Sequence, residues 1–285
     1  MGSFTWTGSA GDGDHNNNAN WLGGAAPSST GPHSITFDRG NYSMHTNIDA
    51  ASVTYAISAL IITSGFGGNI GSTSAAYTTA SGKDITKILC AGKGQYYKIG
   101  SGGNVGTSIA NRCQITLSSG SSFVMSSGTW QYYFQQGGSL IAEAAAVVSS
   151  YCMLSGVNAL FQTNATGVTL LDADSASSVV TYRNATTANL NSSSILRPTG
   201  AAALTTVNVN NSTLSLEGTS TATHTTVNLR GGSTLSAANA AADQTITNLY
   251  QWDNTSYTVN PAGVVLTITN NYSIYSGGSA QSLPR

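Results

Sequence analysis

A short motif repeats through the second half of the chain. Its copies read TTANL at residues 186–190, LTTVNV at 204–209, TTVNL at 225–229 and TITNL at 245–249. In the three later copies Thr206, Thr226 and Ile246 hold equivalent positions, 20 residues apart each time. Units this short cannot bury a hydrophobic face alone, so the spacing predicts that successive copies stack on one another.

Each repeat also contains a second strand-like run. Residues 212–216 read STLSL, and residues 233–237 read STLSA at a spacing of 21. Alternating apolar and polar residues in both runs send every second side chain inward. Two strands per repeat predict an all-β fold, a parallel β-helix (β-solenoid) with turns of roughly 20 residues, stacked about 4.8 Å apart.

The composition supports a β protein and argues against a nucleic-acid partner. Of the 285 residues, 7% are charged, whereas about 25% is usual in soluble proteins. Helices depend on Glu, Lys and Arg more than sheets do, because Thr, Ser and Asn can cover a sheet. A net charge of −1 provides no basic surface for phosphates. We therefore expect no nucleic acid among the partners.

The sequence predicts a protein that folds in a reducing compartment. It has no apolar run of about 18 residues, so we expect no membrane span. Its first residues, MGSFTW, lack a basic and apolar leader, so we expect no secretory signal. The three cysteines, Cys90, Cys113 and Cys152, are odd in number and far apart. Free thiols are therefore expected.

We divide the chain into three parts. Residues 1–50 form a cap or attachment segment anchored by Trp6 and Trp21, because a solenoid needs its first turn covered. Residues 51–270 form the solenoid, and residues 271–285 form a C-terminal tail. Within the solenoid, residues 142–148 are interpreted as strand or turn rather than helix.

Few residues suggest metal or catalytic chemistry. Asp12 and Asp14 resemble the start of a calcium loop, but the further ligands are missing, so a surface turn is favoured. The four histidines, His15, His33, His45 and His224, have no metal-ligand spacing and are expected to be solvated or partly packed. We predict no metal and no cofactor.

A catalytic pair of carboxylates has one candidate. Asp172 and Asp174 share one face of an extended strand, as a polysaccharide-cleaving site would need. A solvated turn is favoured for them, because Arg197 is the nearest basic residue to a stacking offset. No nucleophile elbow or phosphate loop is present. The sequence therefore predicts no catalytic residue and a non-enzymatic protein.

The best candidate binding residues are aromatic. Alternation places Trp130, Tyr132 and Phe134 on one side of a strand and Tyr133 on the other. One set would be core, and an exposed ring could stack on a sugar. Trp130, Tyr132 and Tyr133 are the predicted binding residues, and plain core packing is the alternative.

The N-terminal motifs resemble two families of surface proteins. Phe4-Thr-Trp6, Asn20-Trp21, Pro27, Ile35-Thr-Phe37 and Leu60-Ile-Ile62 before a Gly-Asn-Ile-Gly turn are similar to the opening of autotransporter-associated β-strand repeats. The same opening followed by a Ser-, Thr-, Ala- and Gly-rich solenoid resembles virion structural proteins of tailed bacteriophages, namely head fibres and capsid decoration proteins. The likeness covers about the first 70 residues.

The resemblance implies a structural role in a virion assembled in the host cytoplasm. The absence of a visible export signal favours the phage over the bacterial surface. The implied partners are further copies of the chain, as a homotrimer, and the major capsid protein or another virion protein. Two alternatives stay open. One is a tail-associated adhesin that binds host surface polysaccharide, and the other is a polysaccharide lyase or hydrolase.

Overall fold

The chain folds as a β-solenoid. The computed structural model describes residues 2–28, 30–40, 42–44, 53–161, 168–181, 184–252, 255–258 and 263–275. These residues form about 11 turns of parallel strands, about 20 residues apart, which confirms the predicted fold class. The predicted boundary at residues 50 and 51, His45 and the tail from residue 276 lie outside the described residues.

The chain divides into two compact units, residues 1–150 and 151–285. The strands of the first unit are β1 (Gly2–Trp6), β2 (His33–Phe37), β3 (Ile57–Ile62), β4 (Tyr77–Ser81), β5 (Ile88–Cys90), β6 (Tyr96–Gly102), β7 (Asn104–Val105), β8 (Cys113–Thr116), β9 (Ser122–Met125), β10 (Gly128–Gln136) and β11 (Ser139–Ala142). A 3-10 turn, Asn18–Asn20, follows β1. The strands β1-β2-β3-β5-β8-β10 form one sheet, in which β7 also pairs with β10, and β4-β6-β9-β11 form another.

Strand β12 (Ala146–Ser155) extends from the first unit into the second. The remaining strands are β13 (Asn158–Phe161), β14 (Val168–Asp174), β15 (Ser178–Thr181), β16 (Ala185–Leu190), β17 (Ile195–Pro198), β18 (Leu204–Asn210), β19 (Thr213–Ser215), β20 (Ala222–Arg230), β21 (Thr234–Ser236), β22 (Gln244–Trp252), β23 (Ser256–Thr258) and β24 (Leu266–Tyr275). The even-numbered strands β14 to β24 form one sheet and the odd-numbered strands β13 to β23 form the other. Residues 142–148 contain the end of β11, a turn and the start of β12, as expected.

Inward side chains of the second unit stack in columns. One column consists of Leu171, Ala188, Val207, Val227 and Leu249, paired strand by strand and each at most 1% exposed. A parallel column consists of Ala173, Leu190, Val209, Leu229 and Gln251. Burying a Val or Leu side chain stabilises the fold by about 1.5–3 kcal/mol. The repeat therefore supplies the core one residue at a time.

The last copy of the repeat has a different register from the predicted one. Thr206 pairs with Thr226, but Thr226 pairs with Asn248, and Ile246 pairs with His224. The offset between strands is 20 residues from Thr206 to Thr226 and 22 from Thr226 to Asn248. A shift of two residues preserves which side chains face inward. The sequence motif could therefore be aligned two residues out of place without any apolar residue becoming exposed.

The long strands of the second unit turn a corner inside the motif. In β16, β18, β20 and β22 the first and second inward residues of the corner lie three positions apart, for example Leu204 and Val207. Residues three apart in a flat strand face opposite sides. The two Thr or Thr-Asn residues between them therefore mark a bend that brings both apolar side chains inward.

The core also contains groups that the sequence analysis placed at the surface. His15, His33 and His224 are 7%, 4% and 0% exposed, so the expectation of solvated histidines is wrong for these three. Cys90, Cys113 and Cys152 are free thiols, as expected, and all are buried. Each histidine lies at an inward position of the packed wall, which overrides the ordinary preference of the residue for water.

Candidate functional site

The predicted aromatic site does not form a binding surface as a whole. Trp130 and Tyr133 are fully buried, while Tyr132 and Phe134 are partly exposed. The predicted alternation, with Trp130, Tyr132 and Phe134 on one side, is therefore wrong. Of the three predicted binding residues, Tyr132 alone has a side chain at the surface.

A bend in β10 explains this arrangement. Trp130 pairs with Val105 of β7, and Tyr133 pairs with Cys113 of β8. Because the strand changes partners between these positions, both rings turn inward. There they pack edge to face, with centroids 5.9 Å apart and planes at 80°. The cluster therefore belongs to the core of the first unit.

Trp6 and Trp21 lie together at the start of the first unit. An isolated antiparallel bridge joins them, their ring centroids are 5.2 Å apart, and both are at most 2% exposed. The Trp21 indole N–H donates to the His15 carbonyl at 2.8 Å. Both anchors thus hold the first segment against strand β1.

The Asp12 loop is held by its own amides. The Asp12 carboxylate accepts from the Asp14 backbone N–H at 3.0 Å, from Asn17 at 2.6 Å and from Asn20 at 2.5 Å. These bonds, the Asp14 N–H first, lower the pKa of Asp12. The carboxylate thus stabilises the turn that leads into Trp21. Among the residues described, no group of three or more His, Cys, Asp or Glu side chains could hold a metal ion.

A polar groove of about 740 Å³ runs across the outer face of the second unit. Its lining consists mainly of two columns of outward side chains from β14, β16, β18 and β20 and the residues after them. The amide column contains Asp172, Asn189, Asn208 and Asn228; the second column contains Asp174, Asn191, Asn210 and Arg230. The favoured interpretation of Asp172 and Asp174 as a solvated turn is wrong, since both belong to strand β14.

Hydrogen bonds connect the amide column from strand to strand. Asn228 donates to Asn208 at 2.8 Å, Asn208 donates to Asn189 at 2.8 Å, and Asn189 donates to Asp172 at 2.7 Å. All three bonds point toward the carboxylate. A charged acceptor at the end of such a chain strengthens and orients the bonds behind it. The amides are therefore fixed in one direction along the groove.

The carboxylate end of the column also holds a tyrosine. The Tyr151 hydroxyl donates to the second oxygen of Asp172 at 2.6 Å. Burial and this bond raise the pKa of Tyr151 to about 12, because ionisation would place two negative charges side by side. Tyr151 therefore remains a hydrogen-bond donor at neutral pH.

The other end of the groove is aromatic. The Arg230 guanidinium carbon lies 4.5 Å from the Trp252 ring centroid, and Trp252 stacks on Tyr275 at 4.9 Å with planes at 12°. Both faces of the indole are thereby covered, and its edge is left toward solvent. The stack holds the planar guanidinium in a fixed orientation.

The sequence analysis missed this groove. The signal was present, because the Asn of each repeat copy recurs at residues 189, 208 and 228, and residues at equivalent positions of a parallel solenoid stack directly on one another. These Asn residues were interpreted only as polar partners of the inward side chains. Arg230 lies just after the motif, outside the repeat pattern, and no spacing indicated it.

Comparisons add no relative to this description. No protein-family model, no curated protein and no solved structure matches the chain. The described part of the chain also contains no helix that is long and apolar enough to cross a membrane.

Proposed function

We propose that the chain is a non-enzymatic structural protein of a virion, of the kind that decorates the capsid or forms head fibres in tailed bacteriophages. The observation that carries this proposal is the unbroken parallel pairing within each unit. In the second unit β14 to β24 pair in order, with the inward side chains stacked in columns. Such a wall suits a role in which a surface is held in shape and displayed.

Ion pairs and aromatic packing make the first unit similarly firm. The Lys98 ammonium lies 2.9 Å from a Glu143 carboxylate oxygen, with the lysine side chain only 10% exposed. The same ammonium donates to the Thr73 carbonyl at 3.1 Å. A half-buried pair of this kind loses little strength to salt. The unit is therefore suited to conditions outside a cell.

Strand β24 offers a surface for assembly. It pairs with β22, and among the described residues no strand covers its other edge. Tyr272, Ile274 and Tyr275 are 38%, 36% and 44% exposed, although Leu249 and Gln251 on the preceding strand are buried. An uncovered apolar edge is a template for pairing with another chain. We propose that a second copy, within a homotrimer, covers β24.

Electron microscopy of the particle that carries the chain tests the proposal. We expect copies in symmetric positions on the capsid and a trimer when the purified chain is measured by light scattering. The double variant Tyr272→Lys and Ile274→Lys should remain monomeric while its circular dichroism stays β-rich. Leu22→Lys, at a site 70% exposed in the first unit, is the control. A wild-type monomer that is missing from particles would contradict the proposal.

A further inference from the structure

The groove of the second unit has the chemistry of a binding site for an extended chain of hydroxyl groups. Each strand adds one residue to the amide column and one to the second column, so polar groups recur about every 4.8 Å along the groove. A ligand that lies along the groove would meet the same kind of group at each step. Linear polymers with a short repeat fit this regularity.

The amide column keeps part of its hydrogen-bonding capacity. A side-chain amide can donate two hydrogen bonds and accept two. The ladder uses one donor and one acceptor of Asn189 and of Asn208. Because the ladder also fixes their orientation, the remaining donor and acceptor of each are held in place before a ligand arrives, which lowers the entropy lost on binding.

The second column adds groups that stand outside the ladder. Asn191 is half-buried and Asn210 is exposed, and both line the groove beside the ladder amides. Neighbouring amides can chelate the two hydroxyls of a vicinal diol, since each hydroxyl both donates and accepts. Arg230, held against Trp252 at 4.5 Å, adds a fixed set of donors at the aromatic end.

The charges in the groove exclude polyanions. Asp172 and Asp174 line one end, and Arg230 is the basic residue in the lining. The lining therefore has a net charge of −1, from two carboxylates and one guanidinium, and it would repel a backbone of phosphates or uronates. Neutral sugars face no such penalty. The exposed edges of the aromatic stack can contact the apolar C–H groups of sugar rings.

We propose that this groove binds a linear neutral polysaccharide through the Asn ladder, the second-column amides and Arg230. This inference goes beyond the virion assignment and does not depend on it. It assigns the binding role to the second unit, whereas the sequence analysis placed a possible sugar contact at Tyr132 in the first unit. It also gives an outward-facing structural protein a ligand at the bacterial surface.

An array of defined bacterial oligosaccharides, neutral and uronate-bearing, probed with the full chain, tests the proposal. We expect neutral linear oligosaccharides to bind and uronate polymers and single-stranded DNA not to bind. Asn210→Ala should weaken binding about fivefold to tenfold, which corresponds to one hydrogen bond, and should leave the melting temperature unchanged. Arg230→Ala should weaken binding by a similar or larger factor.

Two controls separate binding from structure. Asn239→Ala removes an exposed amide outside the groove and should bind as the wild type does. Tyr132→Ala tests the surface that the sequence predicted. The proposal is overturned if no neutral oligosaccharide binds, if Asn210→Ala binds normally, or if Tyr132→Ala abolishes binding. Each of these results is independent of whether copies are found on a particle.

Discussion

His224 makes the stability of the second unit depend on pH. Its ring is fully buried, its Nδ1 atom has no hydrogen-bond partner, and its Nε2 atom lies 3.4 Å from Gln244 Oε1. Burial lowers the pKa of His224 below its ordinary value of 6.5. The unfolded chain therefore binds a proton below pH 6.5 while the folded chain does not. Stability is fully present above pH 6.5 and is lost as the pH falls toward the folded pKa.

Replacing this ring with an apolar side chain should flatten the pH dependence. We expect His224→Leu to remove up to about 1.4 kcal/mol per pH unit from the slope between pH 6.5 and pH 5. The measurement is the free energy of unfolding in urea at each pH. His15, whose pKa burial also lowers, remains in both proteins and accounts for the residual slope. Equal slopes in the two proteins would show that His224 is protonated in the fold.

The direction of the Asn ladder can be tested with one atom. In Asn208→Asp the carboxylate can still accept from Asn228, but it faces the Asn189 oxygen with no hydrogen to donate. We expect the variant to lose about 1–3 kcal/mol of unfolding free energy at pH 7. Acidification to below the pKa of the new carboxyl should restore part of this loss, because the acid form can donate. A variant with wild-type stability at pH 7 would contradict the ladder.

At the scale of one element, a glycine permits the bend in β10. Gly106 has φ +64°, and a Cβ atom there would lie 2.6 Å from the Tyr132 carbonyl oxygen and 3.0 Å from the Cys113 sulfur. Gly82 has φ +71° with open space around it. Gly82→Ala should therefore cost about 1 kcal/mol from backbone strain alone, and Gly106→Ala on the order of 3 kcal/mol. Denaturant unfolding of the two variants measures the difference.

The same element shows how far the sequence could be read. Alternation and a period of about 20 residues identify strands and stacking, because these depend on local pattern. The inward pairs Trp130 with Tyr133 and Leu204 with Val207 were out of reach, because a bend within a strand reverses the pattern after it. The register of β22 was missed because two extra residues lie in the connections before it. The groove needed residues from four turns to be placed side by side.

At the scale of the whole molecule, the second unit should tolerate the loss of one complete turn. Deleting residues 206–225 joins Thr205 to Thr226, and Asn189 would then lie beside Asn228 in the register that Asn208 now provides. In the other sheet, Ile195 would pair with Thr234 in place of Thr213. We expect a β-rich circular dichroism spectrum with a lower melting temperature, because one set of turn-to-turn contacts is gone.

Deleting half a turn is the matched control. Removing residues 216–225 places the strands after the deletion ten residues out of step, so the inward columns and the Asn ladder cannot both be restored. We expect this protein to unfold or aggregate. If both deletions behaved alike, the second unit would not be a sum of equivalent turns.

The three buried thiols turn each unit into its own reporter of opening. Burial raises the pKa of Cys90 to about 12 and that of Cys113 and Cys152 well above the ordinary value, so a thiol reagent can attack only after the surrounding wall parts. Cys90 and Cys113 time this event in the first unit, and Cys152 times it in the second. Variants that keep a single thiol would convert alkylation rates into the breathing frequency of each wall, without any label foreign to the chain.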